Sequence, residues 1–331
     1  MNVINSTISI DERSTDARPI ILDIIVSAYS FNRYNDLIDA INGIEQQNYK
    51  NREAIIVIDE NKELYSKINE YILSNDLHAI KLVFNPDNKG LSYSRNIGIA
   101  HATGDIIAFV DDDAVPYPEW AETIVDTFRD DEVGAVTGDI IPLWEHEEMS
   151  WFPKELHWMI SCSYTMTPNK KEETERGFGT NMAFKRDLLY KVGFFDTNLG
   201  IKINRWVGGE ETDMFLRIRE AGKKVIFNPN ARVLHKIYSQ RISNKNIIKR
   251  AFNGGLSVAI MMKVRQYNIK KSTENAYLRR LLFEFYPKTF KEFVKKPSVI
   301  PLKQMTIVGA VMVFELMGYL QGHIKQKECV M

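Results

Sequence analysis

The sequence predicts an α/β protein with a mostly parallel central sheet and helices on both faces. Two observations carry this. Short apolar runs rich in β-branched residues alternate, as far as about residue 240, with segments whose apolar residues recur at helical spacing. The apolar runs are near-continuous, which marks strands buried on both sides, as parallel strands are.

Residues 20–27 (IILDIIVS) read as the first buried strand. Residues 36–46 carry Leu37, Ile38, Ile41 and Ile44 at helical spacing. A second strand at 54–58 ends in Asp59-Glu60-Asn61, then come a helix over 62–75 and a strand over 79–84. The turn-rich loop NPDNKG (85–90) leads into a helix over 91–102, which Gly104 is expected to stop. A strand at 106–110 follows, then a helix over 119–128 and a strand at 133–137. Residues 144–164, with Trp144, Trp151, Phe152, Trp158 and Tyr164, read as a loop and helix covering the core. Gly208-Gly209 opens a helix with apolar Met214, Phe215, Leu216 and Ile218, and 231–234 is strand-like.

At 331 residues the chain holds one large domain with an appendage, or two domains. A composition 44% hydrophobic and 26% charged excludes a disordered chain. Cys162 and Cys329 are too few and too far apart for a disulfide framework or a zinc site, which fits a reducing compartment. Residues 1–18 are polar and lack a signal-peptide pattern, so they read as a flexible lead that leaves the catalytic part on the side where it is made. The main domain is then 19–240 and the C-terminal region 241–331. The zero net charge hides an asymmetry: residues 241–303 hold 15 Lys/Arg against three acids, a basic region that suits an anionic partner.

The chemistry is concentrated at Asp111-Asp112-Asp113, at the tip of the apolar run IIAFV. Like charges so close repel, and desolvation disfavours each ionised form. A hard divalent cation such as Mn²⁺ or Mg²⁺ relieves both penalties and commonly shares substrate phosphates. In α/β sheets the carboxyl end of a strand is also where ligands sit. No G-x-G-x-x-G follows the first strand and no P-loop occurs, so a nucleotide would be held by side chains and a metal.

With these pieces in order, the chain resembles the family 2 glycosyltransferases of the GT-A fold over about residues 20–240. The resemblance rests on IIVSAYSFNRYNDL, EAIIVIDENKEL, NKGLSYSRNIGIAHATGDIIAFVDDDAVP, GFGTNMAFKRDLLYKVGFFDTNLG and GGEETDMFLRIREAGKKVIFNP. It implies that Ser27, Tyr29 and one of Asp59 or Glu60 hold the nucleotide base, and that Arg95 donates to the nucleotide. It implies that Asp111 faces the ribose, that Asp113 and Asp111 coordinate the metal, with His235 assisting, and that Asp112 supports them. Thr180 and Asn181 would line the sugar pocket. Glu211 would be the catalytic base of an inverting transfer, with Glu210 and Asp213 orienting it or touching the acceptor.

Beyond residue 240 the general resemblance fades. Residues 305–320 (MTIVGAVMVFELMGYL) are apolar but interrupted by Glu315, and too short for a spanning helix of about 20 residues. They read as a helix lying in a membrane interface or docked on the body or on a second copy, beside basic residues that attract anionic lipid. No nucleic-acid motif accompanies them. The segment WFPKELHWMISCSYTMTP with this tail is similar to a subgroup acting on polyprenyl- or dolichyl-phosphate-linked sugars, the glucosyl-dolichyl phosphate glucuronosyltransferase type. The expectation is a metal-dependent enzyme peripheral on the cytoplasmic membrane face. It would move sugar from a nucleotide donor, a UDP-sugar by this reading, to a hydroxyl of a lipid-linked saccharide. The alternatives are a soluble or polysaccharide acceptor, or a non-catalytic nucleotide-sugar-binding scaffold.

Overall fold

The computed structural model of the protein describes residues 18–202, 205–264 and 271–328. Apart from Arg18, the N-terminal lead lies outside the described residues, as does Cys329. The first half alternates as expected: β1 (Leu22–Ala28), α1 (Tyr34–Glu45), β2 (Arg52–Asp59), α2 (Lys62–Ser74), β3 (Ile80–Asn85), α3 (Leu91–His101) and β4 (Ile106–Asp111). Buried Leu37, Ala40, Ile41 and Ile44 form one stripe of α1 against the sheet. Each such Leu or Ile contributes about 1.5–3 kcal/mol of transfer free energy. Asn61 caps α2 by accepting from the Leu64 amide at 2.9 Å, a cap worth about 1 kcal/mol.

Strands β3, β2, β1 and β4 are parallel neighbours, with Ser27 of β1 opposite Asp111 of β4. Ile24, Val26, Ala108 and Val110 enter one apolar cluster, while Ile25, Ile107 and Phe109 enter a second. Alternate residues therefore serve opposite faces, and both faces are covered. Gly104 is not the stop of α3, which ends at Ala102 in extended backbone. Thr103 and Gly104 instead donate their amides to buried Asp23 at 2.6 and 2.7 Å. A Cβ on Gly104 would lie 2.8 Å from the Ile21 carbonyl oxygen, so the glycine permits a close approach.

The second half comprises β5 (Ala114–Pro116), α4 (Trp120–Thr127), β6 (Val133–Trp144), β7 (Glu172–Glu173), β8 (Asn181–Lys185), α5 (Arg186–Val192), β9 (Gly200–Lys202), β10 (Arg205–Val207), α6 (Glu210–Glu220) and β11 (Lys224–Ile237). The main sheet runs β3-β2-β1-β4-β8-β6-β11-β5, with β7 on β11 and a separate β9–β10 hairpin. Strand β8 is antiparallel to both β4 and β6, so the sheet is parallel in its first half and mixed overall. Strands β6 and β11 are longer than the apolar runs at 133–137 and 231–234, because they continue past a register shift between Asn228 and Val233. Residues 147–160 form two short 3₁₀ stretches whose Met149, Leu156, Met159 and Ile160 cover the core.

The C-terminal region is helical: α7 (Asn244–Val264), α8 (Lys271–Arg280), a π turn at Leu281–Phe285, α9 (Tyr286–Lys295) and α10 (Val299–Glu328). Helix α10 has 30 residues, well beyond the expected 305–320, and Val299–Ile324 is long and apolar enough to cross a membrane. One stripe of α10, with Val308, Val311 and Gly318, is buried. Gly255 of α7 and Gly318 of α10 let the two backbones touch: a Cβ at either would lie within 2 Å of a carbonyl oxygen across the crossing. The opposite stripe, Val313, Leu316, Met317, Leu320 and Ile324, is exposed.

Candidate active site

Asp111 ends β4, and antiparallel β8 brings Thr180 beside it, so that Thr180 Oγ1 donates to Asp111 Oδ2 at 2.6 Å. Asp112 is buried and accepts from Arg33 Nη1 at 2.7 Å. Asp113, 1% exposed, is surrounded by cations: Arg241 at 3.1 Å and Arg33 at 3.2 Å from Oδ2. The β11–β5 register sets His235 opposite Ala114, with its Nε2 3.2 Å from Asp113 Oδ1.

Burial alone would raise the Asp113 carboxyl, but His235, Arg241 and Arg33 outweigh it and hold the group well below the usual carboxylate range. Asp112 goes the other way. Burial raises it, the Asp113 charge adds to the rise, and Arg33 only partly opposes them.

The ligand atoms of Asp111, Asp113 and His235 all lie within 4.8 Å of one another. Asp113 Oδ1 is buried 3.2 Å from His235 Nε2, and that nitrogen also lies 2.8 Å from Arg241 Nη1. In its neutral form an imidazole nitrogen can bind a metal. Two carboxylates and an imidazole within reach of one another fit a divalent cation.

On the other side of the site, Gly209 adopts φ +109° and turns the chain into α6. This sets Glu210, Glu211 and Asp213 in the first turn of α6, where the macrodipole favours acids. Glu210 is buried, and burial plus the Glu211 charge push it up to about 8 against the pull of Arg95. Its surroundings therefore favour the protonated form more than those of an ordinary glutamate do. Glu211 is half-buried, accepts from the Gly179 amide at 3.1 Å and borders a cavity of about 650 Å³.

Arg95 joins the two acidic groups. The resemblance points it at a nucleotide, but its guanidinium is 3% exposed and lies 3.4 Å from both Asp111 Oδ1 and Glu210 Oε1, over the Phe109 and Phe195 rings. Gly179 allows this, since a Cβ there would lie 2.2 Å from Arg95 Nη2.

The remaining expected residues divide by their surroundings. Ser27 Oγ is buried with no hydrogen-bond partner, and Tyr29 is 57% exposed beside the same strand end. Asp59 is buried, accepts from Asn85 Nδ2 at 2.6 Å, and is raised by burial to about 6. Glu60 stands exposed in left-handed backbone, φ 58°.

Two expectations need correction. Asn181 is fully buried and its side chain is used up by Trp120, Asp139 and Ala231, so it braces β8 rather than facing a sugar. Asp213 is buried against Arg217 at 2.9 Å, and Arg217 donates to the carbonyls of Val192, Gly193 and Phe194. That pair fastens α6 to the end of α5. Arg33 and Arg241 were not singled out by sequence reasoning as site residues. The signal for Arg33 lies in the quoted segment SFNRYNDL, a cation just beyond the end of β1.

Comparison with known proteins agrees with this geometry. The chain is 32% identical over 303 residues to the glucosyl-dolichyl phosphate glucuronosyltransferase of Haloferax volcanii, covering 91% of this chain and 96% of that one. A mannosyltransferase from Pyrobaculum calidifontis, solved with GDP-Man and Mn²⁺, has the same fold at TM-score 0.58 and 18% identity, covering 90% of this chain and 86% of that one. GalNAc-T7, solved with UDP, GalNAc and Mn²⁺, matches at TM-score 0.54 and 18% identity over 80% of this chain and 55% of that one. Residues 23–193 match the description glycosyl transferase family 2, and with the GT-A architecture and the acid cluster already in place, this chain belongs to that family of glycosyltransferases.

Proposed function

We propose that the chain transfers a sugar, with inversion, from a UDP-sugar to a hydroxyl of a polyprenyl- or dolichyl-phosphate-linked saccharide at the cytoplasmic face of the membrane. The observation that carries this is the convergence of the two acid groups on one buried cation, Arg95, with Glu211 opening onto the cavity. Glu211 takes the proton of the acceptor hydroxyl while that oxygen bonds to the anomeric carbon and the bond to the nucleoside diphosphate breaks. The upward shift of Glu210 lessens the negative charge beside Glu211. A divalent cation held by Asp111, Asp113 and His235 would neutralise charge on the leaving diphosphate. Ser27, Tyr29 and Asp59 or Glu60 would border the base, and Thr180 orients Asp111.

The lipid-linked acceptor is supported by the exposed apolar stripe of α10 and by α9, where Phe290 and Val294 are exposed among Lys288, Lys291, Lys295 and Lys296. An apolar face framed by lysines suits an anionic lipid surface. The Haloferax relative, whose name refers to a dolichyl-phosphate sugar, supports the same class.

The test is transfer of labelled sugar from a nucleotide-sugar panel into organic-extractable lipid with Mn²⁺ or Mg²⁺. Lipid label abolished by EDTA is expected. Asp113→Ala should lose metal-dependent transfer, and Glu211→Gln should keep donor binding while losing turnover. Turnover retained in both variants refutes the mechanism, whereas donor consumption without lipid label moves the acceptor to a soluble glycan.

A further inference from the structure

Cys162 is fully buried, and the proposed transfer makes no use of it. The 3₁₀ stretch Lys154–Ile160 ends at Ser161, whose left-handed backbone, φ 56°, turns the chain. The turn is tied on both sides. The Cys162 amide donates to the His157 carbonyl at 3.0 Å, the Ser163 amide donates to the Ile140 carbonyl of β6 at 2.9 Å, and the Ile140 amide donates to Ser163 Oγ at 2.9 Å. The thiol is thereby held beneath His235 of β11, with Sγ 3.7 Å from Nδ1 and 3.7 Å from the Ile160 carbonyl oxygen. Burial pushes this thiol up, so it keeps its proton.

The neighbours of His235, itself fully buried, assign its ring nitrogens. Nε2 lies 2.8 Å from Arg241 Nη1, and a guanidinium only donates, so Nε2 accepts. An imidazolium would set one N–H against another at that distance. The ring proton therefore sits on Nδ1, the side on which Cys162 stands. The order that satisfies every group runs from Nδ1–H to Cys162 Sγ, and from Sγ–H to the Ile160 carbonyl. In this tautomer Nε2 and Asp113 Oδ1, 3.2 Å apart, are two acceptors side by side, as a shared cation requires.

We propose that Cys162 is a positioning residue for His235: its sulfur accepts the Nδ1 hydrogen bond and so fixes the tautomer and the ring, leaving Nε2 to face Asp111 and Asp113. The proposal rests on the reading of these three residues as the metal-holding group. Cys162 is no ligand itself, because it stands on the Nδ1 side of the ring, outside the group whose ligand atoms lie within 4.8 Å of one another. Ligating histidines give their second ring N–H to a fixed acceptor, and losing that acceptor typically weakens metal binding about 10–100-fold.

The test reads binding and tautomer, neither of which requires turnover. Mn²⁺ is titrated into the full chain with UDP and followed by electron paramagnetic resonance. Long-range proton–nitrogen NMR before Mn²⁺ is added reports the His235 tautomer, with His235→Gln identifying its signals. The ring proton should be found on Nδ1. Cys162→Ala should weaken Mn²⁺ binding about tenfold or more while keeping its fold, and Cys162→Ser, which restores a donor and an acceptor, should recover most of that loss. If Cys162→Ala does not fold, the tautomer of the unaltered chain still decides. A ring proton on Nε2 overturns the proposal, as does an unchanged Mn²⁺ Kd in folded Cys162→Ala. Equal weakening by serine and alanine also overturns it, since packing alone would then be the cause. The expected Mn²⁺ and tautomer results without transfer to any acceptor support the positioning role and overturn the proposed transfer. No Mn²⁺ binding by the unaltered chain overturns the metal reading and the role of Cys162 with it.

Discussion

Replacing Gly255 with alanine tests how closely α7 and α10 are docked and what that docking positions. A Cβ at 255 would lie 1.9 Å from the Glu315 carbonyl oxygen and 2.8 Å from the Tyr319 amide nitrogen. Both are backbone atoms of α10, so no side-chain rotation relieves the clash. Contacts below 3.0 Å are not sustained, so the helices must part by about 1 Å. Overpacking of this kind costs about 1–3 kcal/mol. A ΔΔG of 1 kcal/mol lowers Tm by about 2–4 °C in domains of 150–250 residues, so a drop of several degrees is expected. The same shift moves the α10 wall of the cavity that Glu211 and Glu315 line, and a 1 Å misplacement can reduce turnover by about 100-fold. The assay pairs thermal unfolding with initial rates against acceptor concentration in detergent. Gly254→Ala, whose Cβ meets only Trp158 at 3.9 Å, is the control and should keep the native Tm. A Gly255→Ala protein with native Tm and acceptor kcat/KM within about twofold of the parent would refute the close helix crossing and the placing of Glu315.

Arg95→Met removes the guanidinium that lies, among the described residues, between Asp111 and Glu210, leaving a part-buried and a buried carboxyl without that donor at a cost of about 1–3 kcal/mol. Its unfolding midpoint should fall accordingly and its transfer rate should collapse, whereas near-native values would deny the bridge. Glu210 has a folded pKa of about 8 against an ordinary 4.5, so the folded state binds its proton more tightly. The stability it contributes is complete below pH 4.5 and lost as pH rises through 8, and Asp59 adds a narrower loss up to about 6. Urea midpoints of Glu210→Gln at pH 5 and 9 should differ less than those of the parent, and an equal difference would remove Glu210 as the cause. Sedimentation with vesicles should show preference for anionic over neutral lipid that declines with salt. Changing Lys288, Lys291, Lys295 and Lys296 to Gln should abolish it, at about 1 kcal/mol per charge; binding indifferent to these changes would free α9 of that role.

The alternation of strands and helices through β4 was legible because it depends on local periodicity, and the apolar runs fall within a residue or two of β1, β2 and β3. The direction of β8 was not, since an apolar run looks the same pointing either way. Strands β6 and β11 outran the apolar runs at 133–137 and 231–234 because they continue past Gly138-Asp139 and Asn228-Pro229-Asn230, which interrupt the apolar pattern. Asp111 and Asp113 were visible as a dense local motif. Their partners were not: Arg33 and Arg241 come from 79 and 128 residues away, a proximity that only the folded sheet creates. Asn181 and Asp213 sit within motifs rich in site residues, and only the filled hydrogen bonds of Asn181 and the pairing of Asp213 with Arg217 show that they hold the frame.

The sheet order has a consequence for how the chain folds. Strands β1, β2 and β3 pair through connections of one helix each, so these three can close early. The strands that bring Thr180 and His235 to the acids, β8 and β11, join from far along the chain. Until they arrive, Asp111 to Asp113 remain hydrated at an open sheet edge, and their like charges are screened by water and salt. Desolvation of the acids is thereby deferred to a late step, when Thr180 and His235 reach them. In a kinetic experiment, changes at Thr180 or His235 should chiefly alter unfolding rates, whereas changes in the core among β1, β2 and β3 should slow folding.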